Sequence, residues 1–588
     1  MPVAFQNLTY VVRSHADRNA KVTLISAATG YFRPGQMTAL MGASGSGKTT
    51  LLDVLAGRKT VGETSGSIRF GGEAPSPMFL RRYTGYVEQF DTLIEMLTPA
   101  EMLLYTAELK CPVSEPLEGK RARVDTLIEA LGLNGCRNTR IGSPLVKGIS
   151  GGQAKRTNVG LALITSPRVL FLDEPTTGLD STTANEVMAT VRSLTKTGIT
   201  ICSTIHSPTQ KCLNMFGMVL LLLGGRIVYF GEQGGAMVEY FAPKAHLLTE
   251  PVDDMLGNQA EWIVDLTTQA NKEGRAEEFA GLYQASSLCQ QAASSTQALA
   301  SKGSNISPHT LAALSTQRGT VTSVWHAVAV MLKYRTKGNL LSPAWVGARI
   351  AGQIVMAALA MLLFHGIGQN FAQTNLINIS AILFIWGAIP LFNASSYIPS
   401  LYLERPLYYR ERSDGLYRPI TYICSRLFDE VVLTVVVTAV FSVSVWFVLK
   451  LQGQFTVFWL SNLATNILGV EFAYLSAGLG STLDVANAML PAYGASLMFT
   501  AGFFLRKPAI PVYLRWYTYI NPVRYAWGAS MINQFAGTNT ELFPDQEILH
   551  YFELSGSCWA YIGYQMCFVV VLFLATWVVT AYVKHAKR

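Results

Sequence analysis

Three stretches without a single charge constrain this chain more than anything else in it. They are "VVLTVVVTAVFSVSVWFVL" (431–449), "VANAMLPAYGASLMFTAGFFL" (485–505) and "WAYIGYQMCFVVVLFLATWVV" (559–579). Each is about 20 residues long, the length a helix needs to cross a hydrocarbon core of roughly 30 Å. Composition agrees, because 50% of the 588 residues are hydrophobic and only 14% are charged. The mean hydropathy of +0.27 is too high for a soluble enzyme of this length. The apolarity is also uneven: residues 1–320 read as a mixed globular chain, whereas 345–583 hold nearly all the long uncharged runs.

Six spans are expected, at 348–367, 376–395, 431–449, 457–479, 485–505 and 560–582. Glu471 interrupts the fourth. A carboxylate is costly in lipid, so it should face protein or water, with an arginine of the preceding amphipathic helix as its candidate partner. An even number of spans returns both termini to one side. Arg405, Arg410, Arg412 and Arg418 follow the second span and "KHAKR" ends the chain, so the positive-inside bias places these, and the first half, in the cytoplasm. The segment 506–558 then faces outward, opening with "KPAIPVYLRWYTYINPVRYAWG", whose aromatics and prolines suit an interfacial or re-entrant piece. "SVWHAVAVMLKYRTK" (323–337) is basic and amphipathic, a helix for the inner membrane surface. No basic-then-apolar leader opens the chain. The net charge of +8 fits a cytoplasmic membrane face better than nucleic-acid binding. Eight cysteines make no CxxC pair and no Cys/His cluster, which argues against a metal site of that kind.

Residues 1–245 alternate short hydrophobic strands with helical stretches, the pattern of a parallel α/β sheet. "MTALMG" (37–42) runs into "GASGSGKTTLLDVLAGRK", a strand, a glycine turn and then a helix. Gly42-x-x-x-x-Gly47-Lys48-Thr49 has P-loop spacing in the context that motif requires. The backbone of Gly42, Ala43, Ser44, Gly45, Ser46, Gly47, Lys48, Thr49 and Thr50 is expected to cradle phosphates at a helix N-terminus. Lys48 reaches the β/γ-phosphates, and Thr49 binds Mg²⁺. "VLFLDE" (169–174) is a buried strand delivering Asp173 to that metal, with Glu174 beside it as the base for the attacking water. Gln89 in "GYVEQFD" and His206 in "TIHSP" are further polar residues at strand ends. "MVLLLLGGRIVYFG" (218–231) is too short to span a membrane and reads as a buried hairpin. From 246 to 320 the pattern loosens into an Ala/Ser/Gln-rich linker with helical pieces.

"GASGSGKT", "YVEQ", "SGGQ", "FLDEPTTGLD" and the histidine, in that order, resemble the ATPase domain of ABC transporters. With the membrane domain second, the chain resembles the G subfamily. "MGASGSGKTTLLDVLAGRKT", "GYVEQ" and "LERPLYYRER" look most like the C-terminal halves of its pleiotropic-drug-resistance relatives. The resemblance implies an α/β P-loop ATPase domain (1–245), a linker (246–320) and an all-α transmembrane domain (321–588). It makes Glu174, His206 and Gln89 catalytic, with Gln89 also a Mg²⁺ contact, and Asp180 the D-loop residue. Ser150, Gly151, Gly152 and Gln153 become a signature that closes over ATP held by a partner's P-loop. One P-loop and one signature per chain then imply dimerisation: a homodimer, or a heterodimer with another half-transporter. Tyr10 is the candidate for adenine stacking.

By the same resemblance, Glu404, Arg410 and Glu411 lie on a loop helix that meets the ATPase domain. Phe392 grips apolar ligands in a cavity plugged by Phe503 and Phe504, and helix packing is the plain alternative for each. The expected activity is ATP-driven export of hydrophobic molecules or lipids, with the plasma membrane as the expected site. A sterol- or lipid-specific exporter, or an ATP-gated regulator that transports nothing, stays open. Cys558 is either a free thiol or a bridge between subunits.

Overall fold

The computed structural model describes residues 1–14, 20–143, 146–248, 259–301, 320–536, 541–543, 546–583 and 585. They fall into two compact units, the first comprising Met1–Ser323 with Tyr409–Tyr417, the second Val324–Tyr408 with Arg418–His585.

The first unit is built on a six-stranded sheet. Its strands are β3 (Met37–Met41), β5 (Thr84–Val87), β6 (Val169–Leu172), β7 (Thr200–Thr204), β8 (Met218–Leu223) and β9 (Arg226–Glu232), in the order β5-β6-β7-β3-β8-β9. β5, β6, β7, β3 and β8 run parallel. β3, β6 and β7 are buried at every position, as a parallel sheet covered on both faces requires. β8 and β9 form the expected hairpin. Its turn, Gly224-Gly225, has positive φ at both residues (54° and 77°), the conformation a tight hairpin demands and glycine supplies.

A second sheet, antiparallel, orders β2 (Lys21–Phe32), β1 (Val3–Arg13) and β4 (Glu63–Phe70) as β2-β1-β4. Residues 259–301, expected within a linker, form helices Gln259–Lys272, Ala276–Gln284 and Ser287–Ser301. Tyr283 and Ala292 enter the core shared with β1 and β2, while Leu288, Cys289 and Leu299 pack against it. The apolar residues recur at helical spacing, and each large one removed from water adds about 1.5–3 kcal/mol.

Among the described residues of the second unit four helices are long and apolar enough to cross a membrane: Trp345–Leu363, Gln373–Leu403, Pro419–Leu449 and Cys558–Tyr582. Helices Phe455–Leu479 and Leu483–Thr500 occupy the other two expected positions. The first of these carries buried Ser461, Asn462, Asn466 and Glu471, so protein rather than lipid surrounds it. The fifth stops at Thr500, short of the expected 505, because Gly502 takes φ +110°. Asn521 then serves two helix ends. Its Nδ2 donates to the Leu497 carbonyl at 2.6 Å, and its Oδ1 accepts from Val523 N at 2.9 Å. That cap starts helix Pro522–Phe535, which lies in the segment expected to face outward and is buried almost throughout.

The ion pair expected for Glu471 does not form: its Oε2 is buried and has no hydrogen-bond partner among the described residues. A buried pair forms instead between Arg349 and Glu430. Arg349 Nε and a terminal nitrogen donate to the two Glu430 oxygens at 2.7 and 2.5 Å, and the side chains are 2% and 3% exposed. One residue before, Asp429 accepts from Thr336 (2.5 Å) and Asn339 (2.8 Å). These partners lie 81, 93 and 90 residues apart.

Candidate functional site

The C-terminal ends of four adjacent strands assemble the site, where loops leaving a parallel sheet converge. β3 feeds the loop Gly42–Gly47, and the helix Lys48–Leu55 begins directly after it. Two of these glycines have no substitute. A Cβ on Gly42 would lie 2.1 Å from the Leu222 carbonyl, and Gly47 takes φ +97° against Ile25. Gly45, at φ +77°, faces open space. Ser46 Oγ is buried there without a hydrogen-bond partner among the described residues. A glycine-lined concavity with an orphaned hydroxyl fits a phosphate chain. Lys48 Nζ sits inside the loop, 2.9 and 3.0 Å from the Gly42 and Ala43 carbonyls. Burial lowers its pKa, opposed by the carboxylates of Glu174 and Asp173. Thr50 belongs to the same first turn.

β6 brings Asp173 and Glu174 to this loop from 124 residues away. Thr49 Oγ1 donates to Asp173 Oδ1 at 2.9 Å, and Thr204 at the end of β7 donates to the same oxygen at 2.8 Å. Glu174 sits at φ +44°, an unusual backbone for a non-glycine residue. Thr204 holds it there by accepting from its backbone N–H at 2.7 Å. Glu174 Oε2 accepts from Gln89 Nε2 and from Thr177 Oγ1, both at 2.9 Å. Thr49, Gln89, Asp173 and Glu174 therefore form one bonded set. Among the described residues no three His, Cys, Asp or Glu side chains cluster. The donors are a hydroxyl, a carboxylate and an amide oxygen, hard ligands of the kind Mg²⁺ takes beside phosphates.

Burial raises the Asp173 pKa from its usual value, with hydrogen bonds from Thr204 and Thr49 opposing. A raised pKa means the folded state resists the charged form. Asp173 therefore subtracts stability as pH climbs from the ordinary aspartate range through the raised one. Asp173→Asn keeps the Oδ1 acceptor and removes the charge. Without nucleotide it is expected to melt a few degrees higher at pH 7 and to lose its Mg²⁺-dependent stabilisation, both read by thermal unfolding.

Two family matches accompany this geometry. Residues 25–177 match the ABC transporter family, and residues 326–535 match the ABC-2 type transporter family. The chain belongs to the ABC transporters. Its domain order is that of the G family: it is 30% identical over 572 residues to ABC transporter G family member 31 of Arabidopsis thaliana, covering 94% of this chain and 39% of that protein. It is 29% identical over 566 residues to Pleiotropic drug resistance protein TUR2 of Spirodela polyrhiza, covering 93% and 38%. The chain thus spans about two fifths of the length of these relatives. A solved ATP-binding cassette, described as dimeric in a post-hydrolysis state with ADP and Pi, is 22% identical with a TM-score of 0.34, covering 40% of this chain and 99% of its own.

In this ABC transporter the signature residues stand apart from the bonded set. Ser150 caps helix Gly151–Leu163 in a reciprocal box with Gln153, at 2.9 and 3.3 Å. It is exposed, as is Gly151. Gly152 is required by packing, since a Cβ there would lie 2.2 Å from Thr183 Cγ2. Asp180, exposed, caps helix Ser181–Ser193 by accepting from Thr183 N at 3.0 Å, and this hydrogen bonding holds its pKa down. Ser150–Gln153 and Asp180 therefore share one corner. His206 is exposed and lies 3.1 Å from Ser207 Oγ.

Tyr10 needs correction. It is 2% exposed and its hydroxyl donates to the Val61 carbonyl, so its ring packs in the core and offers adenine no face. Lys155, not foreseen, links the signature helix to Gln89. Its ammonium donates to the Gln89 carbonyl at 2.8 Å and pairs with Asp91 at 3.0 Å. Asn158 adds a bond to Asp91 at 2.8 Å. Lys155 and Asn158 stand three residues apart on one helical face, a spacing visible in "SGGQAKRTN" but with no hint of its partner.

Of the aromatic trio, Phe503 and Phe504 gather on Phe384 with ring centroids 4.9 and 5.3 Å away. Phe392 packs elsewhere, against Gly494. Glu404 pairs with Arg426 in the second unit. In the first unit Arg410 donates to the Thr92 carbonyl, and Glu411 accepts from Tyr417 at 2.6 Å. Cys558 is a free thiol in the single chain.

Proposed function

We propose that the chain hydrolyses ATP to drive export of hydrophobic molecules or lipids across a membrane, working as a dimer. The observation supporting this most is the bonded set Thr49–Asp173 and Gln89–Glu174 beside the glycine loop. Lys48 and the loop N–H groups hold the β- and γ-phosphates. Thr49, Asp173 and Gln89 would hold Mg²⁺, which would supply charge neutralisation to the phosphates. Glu174, aimed by Gln89 and Thr177, takes the proton of the attacking water. His206 contacts the γ-phosphate once the site closes. Ser150 and Gly151 are exposed at a helix N-terminus, which suits an anion. They serve the ATP of a second copy, and the two copies repeat the site by two-fold symmetry. Closure passes through Arg410 and Glu411 to the membrane helices, where Phe392, Phe503 and Phe504 line the route. The plasma membrane, with the ATPase domain and both termini cytoplasmic, is the proposed setting.

Complementation between two dead variants tests the shared site. Lys48→Ala destroys a P-loop and Ser150→Phe a signature, so each alone should be inactive. A mixed dimer places both lesions in one site and leaves the other whole. Equal mixing should restore about a quarter of wild-type ATPase, because half the dimers are mixed and each has one working site of two. No recovery, with mixed dimers demonstrated by differential tags, would reject the sharing of one ATP between copies. Reconstitution in liposomes separates exporter from regulator: hydrophobic cargo should stimulate the ATPase of an exporter.

A further inference from the structure

A second cavity in the first unit lies away from the glycine loop. It measures about 130 Å³ and is lined by four cationic side chains, Arg81, Arg82, Lys110 and Arg123, against two carboxylates, Glu115 and Asp414. That is roughly ten times the room one water needs. Both carboxylates are already engaged. Glu115 accepts from Arg123 at 2.8 Å, and Asp414 pairs with Arg58. Arg81, Arg82 and Lys110 are left with no hydrogen bond or ion pair among the described residues. Their placement is built by the fold: Arg81 and Arg82 end helix Pro77–Tyr83, and Lys110 ends helix Pro99–Lys110.

Cations that outnumber the two carboxylates around one cavity repel each other. Burial and the guanidiniums of Arg58 and Arg410 lower the Lys110 pKa, with Asp414 pulling the other way. Partial burial, Arg412 and Arg58 lower that of Arg81, whose side chain still reaches solvent. Such a cluster stores unfavourable energy that a dianion would relieve, and arginine forks match phosphate oxygens in shape and charge.

We propose that this cavity binds a phosphomonoester dianion, held by Arg81, Arg82 and Lys110. It stands on the ATPase unit's own residues and is independent of the transport reading. The dianion has two possible sources, a free phosphate compound or the headgroup of a phosphorylated lipid.

The test uses the full chain in detergent with its nucleotide site saturated by Mg²⁺ and a non-hydrolysable ATP analogue, so that phosphate cannot report on the P-loop. Thermal unfolding is followed with inorganic phosphate, with chloride at matched ionic strength, and in vesicles. The vesicles contain either phosphatidylinositol, a diester, or its 4-phosphate, which adds a monoester. Phosphate should raise the melting temperature where chloride does not. Arg81→Gln/Lys110→Met should weaken the half-effective concentration at least tenfold, and Arg82→Gln provides a single-site check if the double variant folds poorly. A shift only with the 4-phosphate lipid supports the site with a lipid source. Equal shifts in wild type and variants would mean an adventitious ion only, and no shift in any arm would equally overturn the site.

Discussion

Glu174→Gln should lower ATP turnover by about 10²–10⁴-fold, the range a positioned general base contributes, with little change in nucleotide affinity. The substitution keeps an oxygen where Gln89 and Thr177 donate, so the geometry around the strained φ of residue 174 survives. Only the capacity to accept the proton of water is lost. A fall in kcat at unchanged KM marks a group acting on the reaction rather than on binding. ATP should therefore hold the variant in its bound, dimeric form, seen as retention of nucleotide and a larger species on sizing. Gln89→Ala should cost less, since it removes an orienting hydrogen bond and leaves the base. Hydrolysis by Glu174→Gln at the wild-type rate would remove Glu174 from the mechanism.

The largest effect on stability is expected from the membrane unit. Arg349→Met strips Glu430 of both its donors while leaving the carboxylate 3% exposed. Breaking a buried ion pair from one side costs about 3–5 kcal/mol, because an uncompensated charge remains inside. The Arg349 guanidinium also lies over the Trp345 ring, 3.8 Å from its centroid, so part of the loss is packing. Pairing the change with Glu430→Gln removes the stranded charge, and the double variant should recover most of the loss. The measurement is melting of the solubilised protein, monitored by its retention as a sharp sizing peak. A double variant as unstable as Arg349→Met alone would mean that the guanidinium acts through packing and not through charge.

How much of this was legible beforehand depends on how far apart the cooperating residues lie. Gly42 through Thr49 read correctly as a loop and a helix start because every element of a P-loop is local: strand, glycines, lysine and hydroxyl within one turn of chain. The strand that ends at Asp173 and Glu174 was legible because a hydrophobic run closed by two acids is also local. Their meeting with Thr49 and Gln89 followed from strand order, which a parallel sheet restricts to few solutions. Tyr10 failed for a plain reason: an aromatic in an antiparallel strand can face either side, and here it faces the core. Lys155 and Thr204 were invisible as partners, one on a helix and one on a strand, since a side chain's direction shows in spacing but its neighbour does not.

The sequence alone settled composition-driven matters: a membrane-spanning second half, a phosphate-binding first half, and the order of the two. Periodicity and motif spacing carry those, because burial and backbone geometry depend on residues close together in the chain. Tertiary structure alone decided which charges meet. Glu471 was the conspicuous acid and finds no ion-pair partner among the described residues, while Glu430 received Arg349 from 81 residues away. Ion pairing depends on which helices touch and at what rotation, and contact between distant helices is set by packing them all at once.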